Sequence, residues 1–201
     1  MIAVIDYGVG NLFSLTASLK YIGAETVVTG KKEDIKRADR IILPGVGAFA
    51  DAMGKLEDTG LVDTIVEETK GGKPLLGICL GMQLLFEKSY EYGEHKGLGL
   101  IKGEVAPIEE DLTKKLKVPH IGWNSLSIKE DPLFKYISSG EYVYYVHSYY
   151  GRKCEESTIA TSEYDITITG AVCSGSVYGT QFHPEKSGET GLNILRAFEE
   201  L

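Results

Sequence analysis

The sequence predicts an α/β protein with a doubly wound, mostly parallel central sheet, helices on both of its faces and an antiparallel extension in the C-terminal half. Short, nearly continuous apolar runs at Ile2 to Ile5, Thr26 to Val28, Ile41 to Leu43 and Leu75 to Ile78 have the texture of parallel strands covered on both sides. Helical periodicities separate these runs. Beyond Phe86 the chain changes to segments rich in β-branched and aromatic residues, parted by turn-forming clusters such as Ser138-Ser139-Gly140 and Cys173-Ser174-Gly175, which favours antiparallel pairing.

The elements follow in order. After the first strand, Leu12, Leu15, Leu19 and Ile22 mark one buried helical stripe beginning after Asn11, and Gly23 ends it. The charged stretch Lys31 to Arg40 reads as solvated surface. Helices from about Phe49 to Leu56 and from Leu61 to Glu68 fill the crossover to the strand ending at Ile78, and Met82 to Phe86 continues helically after it. Strand-like segments follow at Gly103 to Ile108, Tyr142 to His147, Ile166 to Cys173 and Ser176 to Phe182, interrupted by the acidic run Glu109-Glu110-Asp111, read as surface. A closing helix from Thr190 to Leu201 sets Leu192, Leu195 and Phe198 on one face. No linker or repeat interrupts the chain, so residues 1–201 are expected to form a single domain.

Composition narrows the function. A chain of 201 residues can bury ~70% of its unfolded surface and needs no disulfide or metal staple. A net charge of −8 disfavours nucleic acid or an anionic membrane surface as partner, since both require a cationic footprint. The opening residues lack a basic region and a long apolar core, and no stretch approaches the ~20 apolar residues of a membrane span. Cys79, Cys154 and Cys173 are widely spaced, without metal-ligand spacing, so a reduced, cytoplasmic chain without a metal or other cofactor is expected. Glycine is in excess, 24 residues against a usual ~7%.

Three segments carry chemistry. Gly77-Ile78-Cys79-Leu80-Gly81 follows an apolar strand and precedes a helical stretch, the form of a nucleophile elbow with cysteine in place of serine. The helix start stabilises negative charge there, and the Leu80 N–H can face an oxyanion. Standing alone, the same pattern fits a buried, inert cysteine equally well. Gln181-Phe182-His183-Pro184-Glu185-Lys186 lies at another strand's exit, where ligands collect in open α/β sheets. His183 can serve Cys79 as base, and Glu185 can orient the imidazole. In Leu43-Pro44-Gly45-Val46-Gly47-Ala48, two glycines bracket one residue, which suits either a backbone that presents an N–H to a ligand or a plain strand-to-helix turn. His120 and His147 lie in or beside apolar or aromatic strands and read as structural or interfacial, His95 as part of a polar loop. Trp123, the only tryptophan, fits the core and an interface equally well.

Together these segments resemble the class I, triad-type glutamine amidotransferases, whose fold is flavodoxin-like. Asp6-Tyr7-Gly8-Val9-Gly10-Asn11, Pro44-Gly45-Val46-Gly47, Pro119-His120-Ile121-Gly122-Trp123-Asn124 and Val146-His147-Ser148-Tyr149 narrow the resemblance to the glutaminase subunits of imidazole glycerol phosphate synthases. The resemblance implies that L-glutamine is hydrolysed to glutamate and ammonia through a triad of Cys79, His183 and Glu185. It implies an oxyanion hole at Leu80 and, after a peptide flip, at Val46, and glutamine contacts at Gly47, Gln83, Ser148 and Tyr149. It also implies a heterodimer with a (β/α)8-barrel cyclase that receives the ammonia in histidine biosynthesis, contacted near Asn11, Trp123, Asn124, Tyr144 and Lys186. Other readings are a glutaminase subunit for pyridoxal phosphate or anthranilate synthesis, or a cysteine hydrolase of another kind on the same fold.

Overall fold

The computed structural model describes residues 1–201, and its first half alternates strand and helix: β1 (Ile2–Ile5), α1 (Leu12–Tyr21), β2 (Thr26–Thr29), α2 (Lys32–Arg37), β3 (Arg40–Leu43), α3 (Phe49–Asp58), α4 (Val62–Lys70), β4 (Leu75–Ile78) and α5 (Leu80–Leu84). The second half is strand-rich: β5 (Phe86–Ser89), β6 (His95–Lys96), β7 (Ile101–Pro107), β8 (His120–Ser125), β9 (Ser127–Ile128), β10 (Tyr142–His147), β11 (Tyr149–Arg152), β12 (Thr158–Tyr164), β13 (Ile166–Ser174) and β14 (Val177–Thr180), closed by α6 (Gly188–Glu199).

The main sheet has 8 strands in the order β2-β1-β3-β4-β14-β13-β12-β9. Its β2-β1-β3-β4-β14 portion is parallel, and β13, β12 and β9 continue it antiparallel. The apolar runs supply the parallel part because each strand is covered twice. Ile5, Ile41, Leu43 and Leu75 pack with Phe49, Leu56 and Ile65 of α3 and α4. Their neighbours Val4, Ile42, Leu76 and Ile78 pack with Leu15 and Leu19 of α1 and Ile194, Leu195 and Phe198 of α6 on the opposite face. Each such side chain, fully buried, contributes roughly 1.5–3 kcal/mol.

The structure departs from the sequence expectations at several points, among them the closing helix, which begins at Gly188 and buries Ile194 with Leu195 and Phe198, leaving Leu192 only partly buried. The stretch from Lys31 is more than solvated surface: Lys32–Arg37 is helical, with Glu33 and Asp34 in the first turn and Lys36 and Arg37 in the last, and a single buried anchor, Ile35. The helix after Cys79 stops at Leu84, because Phe86 leaves it to pair with Ile101 of β7. Strands outside the main sheet form a 4-stranded sheet, β11-β7-β5-β6, and a 2-stranded ribbon, β10-β8. His95 accordingly lies in a short strand rather than a loop.

The parallel strands all deliver their carboxyl ends to one edge, where the residues after β1, β3, β4 and β14 meet. Backbones approach closely there. A Cβ on Gly81 would lie 1.8 Å from the Leu43 carbonyl oxygen, and one on Gly45 would lie 2.8 Å from the Gly81 nitrogen. Gly81→Ala is therefore expected to destabilise the protein by roughly 3 kcal/mol, at the upper end for overpacking, measurable as a lowered midpoint in urea unfolding.

Candidate active site

Cys79 sits between β4 and α5 with φ 55° and ψ −109°, a backbone setting uncommon for a residue with a side chain. Its N–H donates to the Thr180 carbonyl of β14 at 2.7 Å, and its carbonyl accepts from the Gln83 N–H at 3.1 Å. These bonds, with the backbone contact at Gly81, lift the side chain out of the sheet. The elbow expected from the sequence is thus formed, and Cys79 is not sealed in the core: it lines a cavity of about 650 Å³. Cys154 and Cys173 lie elsewhere, and burial pushes both thiols up.

His183 follows β14 and lines the same cavity. Its backbone N–H donates to the Tyr144 carbonyl at 3.0 Å, and the Ser187 hydroxyl donates to its carbonyl at 2.6 Å, so the segment is fixed on both sides. Nδ1 lies 2.7 Å from Oε1 of Glu185, whose side chain is itself buried. Burial depresses the imidazole, yet its contacts with Cys79 and with Glu185 outweigh that and push its pKa up to about 9. With Glu185 on Nδ1, Nε2 is left to the cavity. The second Glu185 oxygen, Oε2, is buried without a hydrogen-bond partner, and Glu185 borders a narrow cleft shared with Asn11, Gly45 and Val46.

Val46, Gly47, Leu80, Gln83, Ser148 and Tyr149 all line the cavity with Cys79 and His183. Gln83 is no exposed helical residue: it is buried, and its Nε2 donates to the Tyr149 carbonyl at 3.0 Å and to Oε1 of Gln181 at 3.1 Å. Its side-chain oxygen, Oε1, carries no such bond. Val46 is exposed at the cavity mouth, and Tyr7 holds the preceding turn by donating its hydroxyl to the Pro44 carbonyl at 2.8 Å.

Two residues in the site had no role in the sequence reading. Glu91 lines the cavity, and its Oε2 accepts the Phe49 N–H at 2.6 Å while burial raises its carboxyl above the usual range. Gln181 is fully buried, and its Nε2 donates toward the Cys79 sulfur at 3.8 Å. Gln181 belongs to the segment that carries His183, so its place beside the strand exit was a usable signal; an acid in the turn Tyr90-Glu91-Tyr92-Gly93 offered none.

The residues assigned to a partner surface surround this region. Trp123 is 56% exposed, its ring centroid 6.0 Å from that of Tyr144 across the β8-β10 ribbon. Lys186 is exposed and lines the cavity beside His183. Asn11 caps α1, its Oδ1 accepting from the Ser14 N–H. Asn124 is only half exposed, its Nδ2 donating to the Glu163 carbonyl at 2.9 Å. Ile121 on the same strand and Phe13 in α1 are exposed as well, at 58% and 84%. No three His, Cys, Asp or Glu side chains come together as a metal site, and no helix is long and apolar enough to cross a membrane.

The cavity joins a cysteine sulfur to an imidazole that holds its proton to high pH and is backed by a buried carboxylate, an arrangement that suits acyl transfer from a carbonyl substrate with a poor leaving group. Because Glu185 contributes to the elevated His183 pKa, Glu185→Gln is expected to move the His183 titration, followed by NMR of its ring protons, from about 9 to lower pH. An unchanged midpoint would detach the carboxylate from the imidazole.

The family model for class-I glutamine amidotransferases matches residues 3–200. Imidazole glycerol phosphate synthase subunit HisH of Bacillus cereus is 52% identical over 200 residues, covering 99% of this chain and 94% of the relative. The subunit of the same name from Caldanaerobacter subterraneus is 51% identical over 203 residues, covering 100% and 98%. Among solved structures, PurLQS from Thermotoga maritima superposes with a TM-score of 0.77 at 20% identity, over 98% of this chain and 96% of that one, a likeness of fold. The chain belongs to the class-I glutamine amidotransferase family, within the group that includes these imidazole glycerol phosphate synthase subunits.

Proposed function

We propose that residues 1–201 act as one glutaminase domain that hydrolyses L-glutamine and supplies the ammonia to a (β/α)8-barrel cyclase subunit of imidazole glycerol phosphate synthase, in the cytoplasm. The observation that carries the reading is that Cys79 and His183 line one cavity at adjacent strand exits, with Glu185 bonded to the far side of the imidazole, in a chain about half identical to imidazole glycerol phosphate synthase subunits over nearly its full length. Those relatives disfavour the pyridoxal phosphate, anthranilate and general hydrolase alternatives.

In this reading the Cys79 thiolate attacks the carboxamide carbon of glutamine, and the carbonyl electron pair moves onto oxygen. The backbone N–H of Leu80, and that of Val46 once its peptide turns inward, stabilise the oxyanion. Protonated His183 gives its proton to the amide nitrogen as the C–N bond breaks, so ammonia leaves and a γ-glutamyl thioester remains on Cys79. Neutral His183 then takes a proton from water as the hydroxide adds to the thioester carbon, and the tetrahedral adduct collapses with breakage of the C–S bond, returning the Cys79 thiolate beside protonated His183 and releasing glutamate. Glu185 holds the ring and balances its charge throughout.

The cavity's polar groups suit the amino-acid end of the substrate. Gly47, Ser148, Tyr149 and the free Gln83 carbonyl oxygen surround the glutamine backbone, and the Glu91 carboxylate suits its α-ammonium. No cofactor enters these steps. Exposed Trp123 and its neighbour Tyr144, with Asn11, Asn124 and Lys186, supply the surface on which the cyclase docks, with the tryptophan as its aromatic anchor.

Cys79→Ala is expected to abolish glutamine-dependent synthesis in the reconstituted complex while leaving synthesis from added ammonia intact; glutamine hydrolysis retained in the purified variant would overturn the assignment. Trp123→Ala should weaken cyclase binding by about 2 kcal/mol, roughly 30-fold in Kd, by titration calorimetry.

A further inference from the structure

The ribbon formed by β8 and β10 has two unlike faces. Ile121, Trp123 and Tyr142 point outward and are exposed, whereas His120, Tyr145 and His147 point inward and are buried. His120 and His147 are register partners, and a ring nitrogen of each bonds the other: His120 Nδ1 lies 2.9 Å from His147 Nε2. His147 Nδ1 is 2.8 Å from the Tyr149 carbonyl oxygen, and His120 Nε2 is 3.4 Å from Nδ2 of Asn124.

The ends of this series fix its direction. A carbonyl can only accept, so His147 Nδ1 carries the proton and its Nε2 is the acceptor. His120 Nδ1 must then donate, leaving its Nε2 to accept from Asn124. The Asn124 amide is oriented independently, its Oδ1 accepting the Ser125 N–H at 2.9 Å and its Nδ2 donating to the Glu163 carbonyl at 2.9 Å. Both imidazoles are therefore neutral, and burial keeps them so, pushing His120 down to about 4 and His147 to about 3. Beyond Tyr149 the series continues into the site. Gln83 Nε2 donates to the same carbonyl and to Gln181 Oε1, and Gln181 Nε2 donates toward the Cys79 sulfur. The chain thus runs unbroken from Asn124 on the ribbon to Cys79.

We propose that His120 and His147 are positioning residues for glutamine hydrolysis: their fixed-direction hydrogen bonds tie the exposed β8-β10 ribbon to the Tyr149 carbonyl and to Gln83, and so set the glutamine cavity from the ribbon. The assignment rests on the proposed glutaminase function. A pair present only to fill the core would require neither a single tautomer for both rings nor a bond to the carbonyl that orients Gln83. The stacking of His120 between Tyr145, at 4.8 Å, and Tyr164, at 4.1 Å, supplies the packing separately from the relay.

That separation permits a test. His120→Phe keeps an aromatic ring between the tyrosines and removes the relay, whereas His120→Asn gives up ring area but keeps a donor at the Nδ1 position, aimed at His147. In the reconstituted complex with the cyclase subunit, His120→Phe is expected to raise the KM for glutamine about 3- to 10-fold with kcat changed less than about twofold, and His120→Asn to restore most of the loss. Long-range proton–nitrogen NMR of the wild-type chain at neutral pH should show both rings protonated at Nδ1 only. A KM unmoved by His120→Phe, a defect equal in the Phe and Asn variants, or a proton on His147 Nε2 would each overturn the proposal. Wild-type complex inactive on glutamine would instead count against the glutaminase reading, and the NMR result stands apart from it.

Discussion

The backbone of Cys79 is the constraint on which the site depends. A residue with a Cβ at φ 55° and ψ −109° lies outside the favoured regions, a setting that costs about 1–3 kcal/mol and persists only where surroundings impose it. Here they do. β14 accepts the Cys79 N–H from the side, and Gly81 lets the backbone of α5 settle against the Leu43 carbonyl at the exit of β3. The same contacts that hold Cys79 also bring the Val46 segment and the His183 segment beside it, because β3 and β14 flank β4 in the sheet. Strain at one residue and the meeting of three strand exits are one structural fact.

The electrostatics follow from this geometry. A buried imidazole ordinarily loses its proton readily, and His120 and His147 behave so. His183, equally enclosed, keeps its proton because Cys79 and Glu185 stand on its two sides. Two kinds of buried histidine therefore coexist at one cavity, which His147 and His183 both line: a charged one placed to move a proton, and a neutral pair whose value lies in fixed direction.

The parallel half of the fold was legible in the sequence because strands covered on both faces leave continuous apolar runs, and Leu15 and Leu19 fix α1 by their spacing. The elbow, Pro44-Gly45-Val46-Gly47 and His183-Pro184-Glu185 were legible for a related reason: each is a local turn at a strand exit with a defined residue type. What escaped was set by distant pairing. Nothing near Phe86 announces that it will leave the helix for β7, and the bond between His120 and His147 exists only because β8 and β10 pair in one register. Trp123 was undecided between core and surface until that register turned His120 inward and the tryptophan out. Glu91 entered the site through a loop whose composition carried no sign of it.

In the proposed function, acyl transfer takes place on the sulfur held by this strained turn. Rapid acid quench of the cyclase complex during glutamine turnover, followed by peptide mass mapping, tests it most directly. A γ-glutamyl adduct is expected on the peptide bearing Cys79. Turnover with that peptide unmodified, or an adduct on Cys154 or Cys173, would contradict it.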